Sequence, residues 1–199
     1  MRVRRAGPRA LLIECSGPAE AQAWRTTLWK RREEGRLTAE EIVPGERTVL
    51  LDGVDFANLG DLASPEDLSP AAGPLVEIAT TFDGEDLGFV ASAWQVSVET
   101  VVERLVSVEF TVAFCGFAPG FAYLRGLPAE WEIPRLDAPR PRVPAGSVAL
   151  AGAYAGIYPT ASPGGWRLIG HTDQTLFDVR REPPALLAPG TRVRLAVAR

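Results

Sequence analysis

The sequence predicts an α+β protein of two domains: a ferredoxin-like unit over residues 1–80 and a compact β-barrel over residues 81–199. Three observations carry that expectation. The N-terminal part reads in the order βαββαβ, the split unit of a ferredoxin-like fold. Two amphipathic helical patterns follow. From Glu109 onward the apolar period drops to two, and prolines and glycines punctuate short strands, as in small barrels.

In the first domain, residues 10–14 (ALLIE) form a short buried strand. Pro18 opens a helix reaching about Glu34, since proline at the first helical position sacrifices no hydrogen bond. Ala21, Trp24 and Leu28 recur on one face of it, and RREEG closes it at Gly35. EEIVPG and RTVLLDG are two strands joined by a turn at Pro44-Gly45. A short helix around Phe56, Leu59 and Leu62 comes next. After the turn-rich SPEDLSPAAG, the strand LVEIA at 75–79 completes the unit.

In the second domain, Asp83 is placed to cap a helix carrying Leu87, Val90, Ala91 and Trp94 at i, i+3, i+4 and i+7. Ser97 caps SVETVVERLVS, where Val98, Val101, Val102, Leu105 and Val106 form a wider apolar face. Phe110, Val112 and Phe114 then alternate in one strand, SVALA is another, and Val193, Leu195 and Val197 alternate near the C-terminus.

Composition narrows the function classes. Of 199 residues, 46% are apolar and 23% charged, as in ordinary globular proteins. A net charge of −4 without blocks of like sign argues against nucleic acid and basic membrane contacts. Cys15 and Cys115 are far apart and lack metal-ligand spacing, and His171 is the only histidine, so no metal site is expected. A Cys–His nucleophilic pair would require Cys115 beside His171. The basic N-terminus leads into an apolar run too short for a signal peptide, and no run approaches the ~18 residues of a membrane helix. The expected location is the cytoplasm.

The stretch Phe114–Trp166 interleaves prolines and glycines with aromatic residues, which specifies an irregular backbone path: either barrel turns or a binding site. In GFAPGFAYL (116–124), Phe117, Phe121 and Tyr123 face a groove or the core, and Tyr123 alone offers a polar tip. In PRLDAPRPRVPAGS (134–147), Arg135, Arg140 and Arg142 are spaced by prolines that stiffen the chain. Guanidinium forks held this way suit carboxylate or phosphate, unless Asp137 and other acids pair with them. Pro144–Ser147 ends the segment as an anion nest, with the Ser147 hydroxyl beside it. YPTASPGGWRLIGHT (158–172) adds Tyr158, Ser162, the glycine pair Gly164-Gly165, Trp166 and His171. His171 is either a general base or a structural hydrogen-bonding residue.

Three of these segments, GFAPGFAYL, PRLDAPRPRVPAGSVAL and GIYPTASPGGWRLIG, resemble a family known under several names: the 5-oxoprolinase B-subunit, allophanate hydrolase subunit 1 and sporulation kinase inhibitor (carboxyltransferase domain, subdomain C and D). The Asp86-Leu87 pair and the ending LFD…LLAPGTRVRL fit as well. The resemblance implies that the second domain is a cyclophilin-like barrel. It also implies a second 5-oxoprolinase/allophanate hydrolase subunit (the C-subunit type), a third subunit, and joint action as an ATP-dependent 5-oxoprolinase that opens the lactam of 5-oxoproline to glutamate. On that reading His171 and Arg142 are catalytic. Tyr123, Arg135, Arg140, Arg142, Ser147, Tyr158, Ser162, Gly164 and Trp166 bind substrate or ATP with its Mg, the arginines stabilising carboxylate or phosphoryl charge.

Two alternatives come with the same resemblance: a non-catalytic inhibitor of a sensor histidine kinase, and a component of an allophanate hydrolase or urea carboxylase. The chain departs from the family pattern at Val106, where a histidine is usual, and at His171, where arginine is common.

Overall fold

Alternation of apolar residues builds the first sheet. The computed structural model describes residues 1–56, 59, 62, 64–66 and 73–198. Its contacts divide the chain into two units, Met1–Ala71 and Ala72–Arg199.

In the first unit, β1 (Arg2–Gly7), β2 (Ala10–Glu14), β3 (Glu41–Pro44) and β4 (Thr48–Asp52) form an antiparallel sheet in the order β1-β2-β4-β3. Helix α1 (Pro18–Glu33) starts with proline in its first turn, and Gly35 at φ +70° follows its end, a conformation glycine adopts without a Cβ penalty. Its buried face is Ala21, Trp24, Thr27 and Leu28, packed with Leu11, Ile13, Ile42, Val49 and Leu51. The helix and the β3–β4 hairpin are as expected. Arginines hide β1 from a sequence reading: most of its residues are exposed, so no apolar alternation marks it. The expected helix around Phe56, Leu59 and Leu62 falls largely outside the described residues, although those three side chains pack against this core.

The βαββαβ order needs one correction. The strand over LVEIA, β5 (Leu75–Thr80), is not the last strand of the first sheet; it belongs to the sheet of the second unit. There it pairs in parallel with β13 (Arg192–Val197), nearly the whole remaining chain away. A one-sequence pattern identifies a strand but not its partner, which is a long-range choice.

The second unit is the expected barrel. Helices α2 (Leu87–Trp94) and α3 (Val98–Ser107) precede β6 (Glu109–Cys115), β7 (Ala122–Arg125), β8 (Arg140–Val143), β9 (Ser147–Ala151), β10 (Tyr154–Ile157), β11 (Ser162–Gly164) and β12 (Arg167–His171). Seven strands run in the order β12-β9-β10-β7-β6-β13-β5. The edges then meet: Thr81, just past β5, exchanges both backbone hydrogen bonds with His171 at the end of β12, at 2.8 and 2.9 Å. Closure of this kind removes exposed edges.

The predicted stripe of α2 is buried as a whole, and Ser97 caps α3 by accepting from the Thr100 amide at 3.2 Å. Asp83 does not cap α2. The N-cap position is Asp86, whose side chain makes no cap bond, while Asp83 reaches His171 instead.

β9 is buried at every position because it is covered on both faces. Val148 and Leu150 enter the main core with Phe110, Leu124, Ile169 and Leu195. Ala149 and Ala151 face the other way, into a second cluster with Phe121, Val143, Tyr158, Trp166 and Leu168. Val143 comes from β8, which pairs with β11 as a separate two-stranded ribbon.

Barrel closure leaves no space at Gly84, where an added Cβ would strike the backbone of Leu168, Ile169 and Gly170. Gly84→Ala is therefore expected to destabilise the second unit by about 2 kcal/mol, read as a lowered denaturant midpoint with unchanged slope.

Candidate functional site

The aromatic residues of the second cluster do more than fill space. Phe117, Phe121, Tyr123, Arg135, Pro139, Tyr158, Pro163, Gly164, Gly165 and Trp166 line a cavity of about 190 Å³. Five of the expected binding residues thus come together: Tyr123, Arg135, Tyr158, Gly164 and Trp166.

The walls are aromatic edges set against faces. Phe121 is the hub, with Tyr123, Tyr158 and Trp166 at 5.1, 5.3 and 5.4 Å between ring centroids, each tilted steeply. Glycines make the room. A Cβ at Gly156 on β10 would press on the Trp166 and Phe121 rings, and one at Gly164 would collide with the Tyr158 hydroxyl. Gly164 therefore seats Tyr158 as well as lining the cavity. Phe117 stands at the rim, 61% exposed, at a φ of +66° that non-glycine residues rarely adopt.

The polar groups of the cavity are few. Burial pushes the Tyr123 and Tyr158 hydroxyls above the ordinary phenol range, although nearby positive charge and, for Tyr158, the Trp166 backbone amide pull the other way. Both are protonated donors at neutral pH. The Arg135 guanidinium lies against Gly165, and no ion-pair partner for it exists among the described residues. Among the described residues it is the one uncompensated cation lining the cavity.

Arg140 has a different role. Its Nε meets Glu85 at 2.7 Å, one terminal nitrogen meets Asp86 at 2.8 Å, and the other donates to the Trp166 carbonyl at 3.2 Å. Asp86 is nearly buried and also accepts from the Leu168 amide at 2.7 Å and from Arg167 at 3.4 Å. Arg140 thus holds the Trp166 wall from behind and does not enter the cavity.

The remaining expected residues lie apart from the cavity lining. Arg142 is exposed on β8. The Ser162 hydroxyl is buried without a partner among the described residues. Ser147 is buried on β9, opposite His171 in the ladder. The Nδ1 of His171 is 2.9 Å from Asp83 at the barrel closure, so this histidine serves the closure and does not line the aromatic cavity. The expected nest at Pro144–Ser147 does not form: the Gly146 amide donates to Tyr158 and the Ser147 amide to Pro144, leaving neither for an anion. A Cys–His pair does not form either, since the Cys115 thiol contacts the Leu187 carbonyl at 3.4 Å.

Sequence reading missed Asp86, Pro139 and Pro163 as parts of the site or its support, and left Phe117 facing either a groove or the core. Asp86 had only its place in the Asp-Leu pair as a signal. The prolines were legible as turn formers but not as walls.

The same outline recurs in known proteins. The model of the carboxyltransferase domain, subdomain C and D, matches residues 1–187. A Haemophilus influenzae protein named as the B-subunit of 5-oxoprolinase is 38% identical over 200 residues, covering 94% of this chain and 93% of its own. An Escherichia coli O157:H7 protein of the same name is 52% identical over 111 residues, 56% of this chain and 51% of that protein. The crystal structure of TTHA0988 superposes with a TM-score of 0.79 at 34% identity, covering this whole chain but 40% of the other. The matched region thus spans about half of the E. coli relative and less than half of TTHA0988.

Two expectations test the site. Asp86→Ala leaves Arg140 and Arg167 without their shared carboxylate, and is expected to cost about 3 kcal/mol in equilibrium unfolding. Burial pushes the Cys115 thiol up to about 11, so it stays protonated and unreactive toward a disulfide reagent at pH 8, with labelling rising only above about pH 10 or on unfolding.

Proposed function

Since the chain belongs to the family of the carboxyltransferase domain, subdomain C and D, and to its 5-oxoprolinase B-subunit members, we propose that it is the substrate-binding subunit of an ATP-dependent 5-oxoprolinase, active only with its partner subunits. The observation that carries this reading is the aromatic cavity with a single free guanidinium among the described residues that line it. Its volume lies below the ~300–1,000 Å³ of clefts that take drug-sized ligands, which favours a small ring acid.

Each part of 5-oxoproline has a counterpart. Arg135 takes the carboxylate through its fork of donors. Phe121 and Trp166 pack on the methylene face of the ring. The protonated hydroxyls of Tyr123 and Tyr158 donate to the lactam carbonyl, where negative charge grows as the amide is attacked.

A nucleoside triphosphate does not fit these residues. It needs several donors for its phosphates, and the cavity lining offers one free cation while the amides of Gly146 and Ser147 are committed. On this reading ATP and its Mg are held by the partners, one of the C-subunit type and one of a third kind. Neither a general base nor a nucleophile is among the residues lining the cavity, which accords with a chain that binds and orients substrate while partners complete the reaction. The kinase-inhibitor and urea-carboxylase alternatives gain no observation from this site.

Reconstitution tests the proposal. The chain alone is expected to give no turnover, and addition of both partner subunits with ATP and 5-oxoproline should yield ADP and glutamate. No glutamate from the complete complex would overturn it. Arg135→Ala is expected to raise KM for 5-oxoproline by roughly tenfold to a hundredfold, the worth of one charge-assisted hydrogen bond.

A further inference from the structure

Two arginines approach the Trp166 wall, and among the described residues only one of them lacks an ion-pair partner. Arg135 lines the cavity without an ion-pair partner among the described residues. Arg140 stands behind the wall, joined to it through the Trp166 carbonyl at 3.2 Å, and its positive charge is felt at the Tyr158 hydroxyl inside the cavity. Left uncompensated, its charge would add to that of Arg135 from behind the wall. Its charge is already met by Glu85 at 2.7 Å and Asp86 at 2.8 Å, and Asp86 also meets Arg167 at 3.4 Å. Two arginines thus face two acids behind the wall, and their charges cancel.

We propose that Glu85 and Asp86 are specificity-determining residues: by compensating Arg140 they leave Arg135 as the only cation the cavity offers among the described residues, so that it selects a monocarboxylate over a dicarboxylate. The selection is a difference of affinities. One carboxylate gains a charge-assisted fork, while a second one is desolvated with no free cation to meet it.

The consequence for the reaction rests on the function proposed above. Opening 5-oxoproline breaks the lactam C–N bond; the carbonyl carbon gains the oxygen of water, and both protons of that water end on the nitrogen. One carboxylate becomes two, and an ammonium appears. The new carboxylate forms beside the Tyr123 and Tyr158 hydroxyls, with no second cation among the described lining residues to meet it, so product is held less tightly than substrate.

The two acids differ in how they can be tested. Asp86 is nearly buried and supports the fold, whereas the Glu85 side chain is 63% exposed and can be changed without disturbing the core. Titration calorimetry on the full chain would compare 5-oxoproline, cyclopentanecarboxylate and the dicarboxylate glutarate. Both monocarboxylates are expected to bind more tightly than glutarate. Glu85→Gln, which frees one edge of Arg140, should narrow that ratio about threefold, in line with a partly exposed ion pair. Adding Arg140→Gln to Glu85→Gln should restore the ratio, with circular dichroism confirming both variants folded.

Equal binding of glutarate and 5-oxoproline to the unaltered chain would overturn the charge rule and leave the lactam reading standing. Binding of cyclopentanecarboxylate but not 5-oxoproline, with glutarate still weaker, would keep the rule and overturn the lactam reading. An unchanged ratio in Glu85→Gln, or no binding of any of the three acids, would overturn the rule itself.

Discussion

The carboxylate of Asp86 ties together the parts of the second unit that the cavity needs. It sits at the start of α2 yet spends none of its oxygens on the helix. They accept instead from the Leu168 amide on β12, from Arg140 on β8 and from Arg167. A helix start, a barrel strand and the covering ribbon are thereby fixed to one nearly buried group. Such a group is costly to bury alone and is tolerated because the Leu168 amide, Arg140 and Arg167 all donate to it. Arg140, held in this way, supports the Trp166 carbonyl, so the position of the cavity wall follows from a residue that does not line it.

Around that anchor, packing is set by small residues. Ala149 and Ala151 on the outer face of β9, and Gly156 on β10, leave a shallow floor on which Phe121, Tyr158 and Trp166 interlock edge to face. The same strands present Val148, Leu150, Ala155 and Ile157 inward, to the barrel core. One sheet therefore serves two apolar clusters, and the period-two alternation of its strands separates them. The cavity is bounded by those rings and by Pro163 and Gly164 of the β8–β11 ribbon.

The polar residues show where sequence reasoning stops. Arg135, Arg140 and Arg142 share a proline-stiffened segment and look equivalent in the sequence. Their environments separate them: one lines the cavity, one is bound by two acids, and one is exposed on the ribbon. Glu85 and Asp86 lie more than fifty positions before Arg140, and nothing local marks them as its partners. His171 is notable in the sequence as the sole histidine, but its backbone closes the barrel and its ring meets Asp83. The Cys115 thiol is partly buried, and that burial is what keeps it protonated.

By itself the sequence determined the α+β class, the helix α1 with its proline start and glycine end, the apolar stripe of α2, the Ser97 cap, the alternating strands from Phe110 onward, and the family, through motifs between Phe114 and Gly170. These are local properties: periodicity, capping and turn chemistry act over a few residues and leave their mark in order along the chain. Tertiary structure decided the rest. It gave β5 to the barrel, joined Thr81 to His171, and chose which arginine is free. Those outcomes depend on pairings across long stretches of chain, where burial and charge compensation, and not propensity, determine which of several similar residues reaches the site.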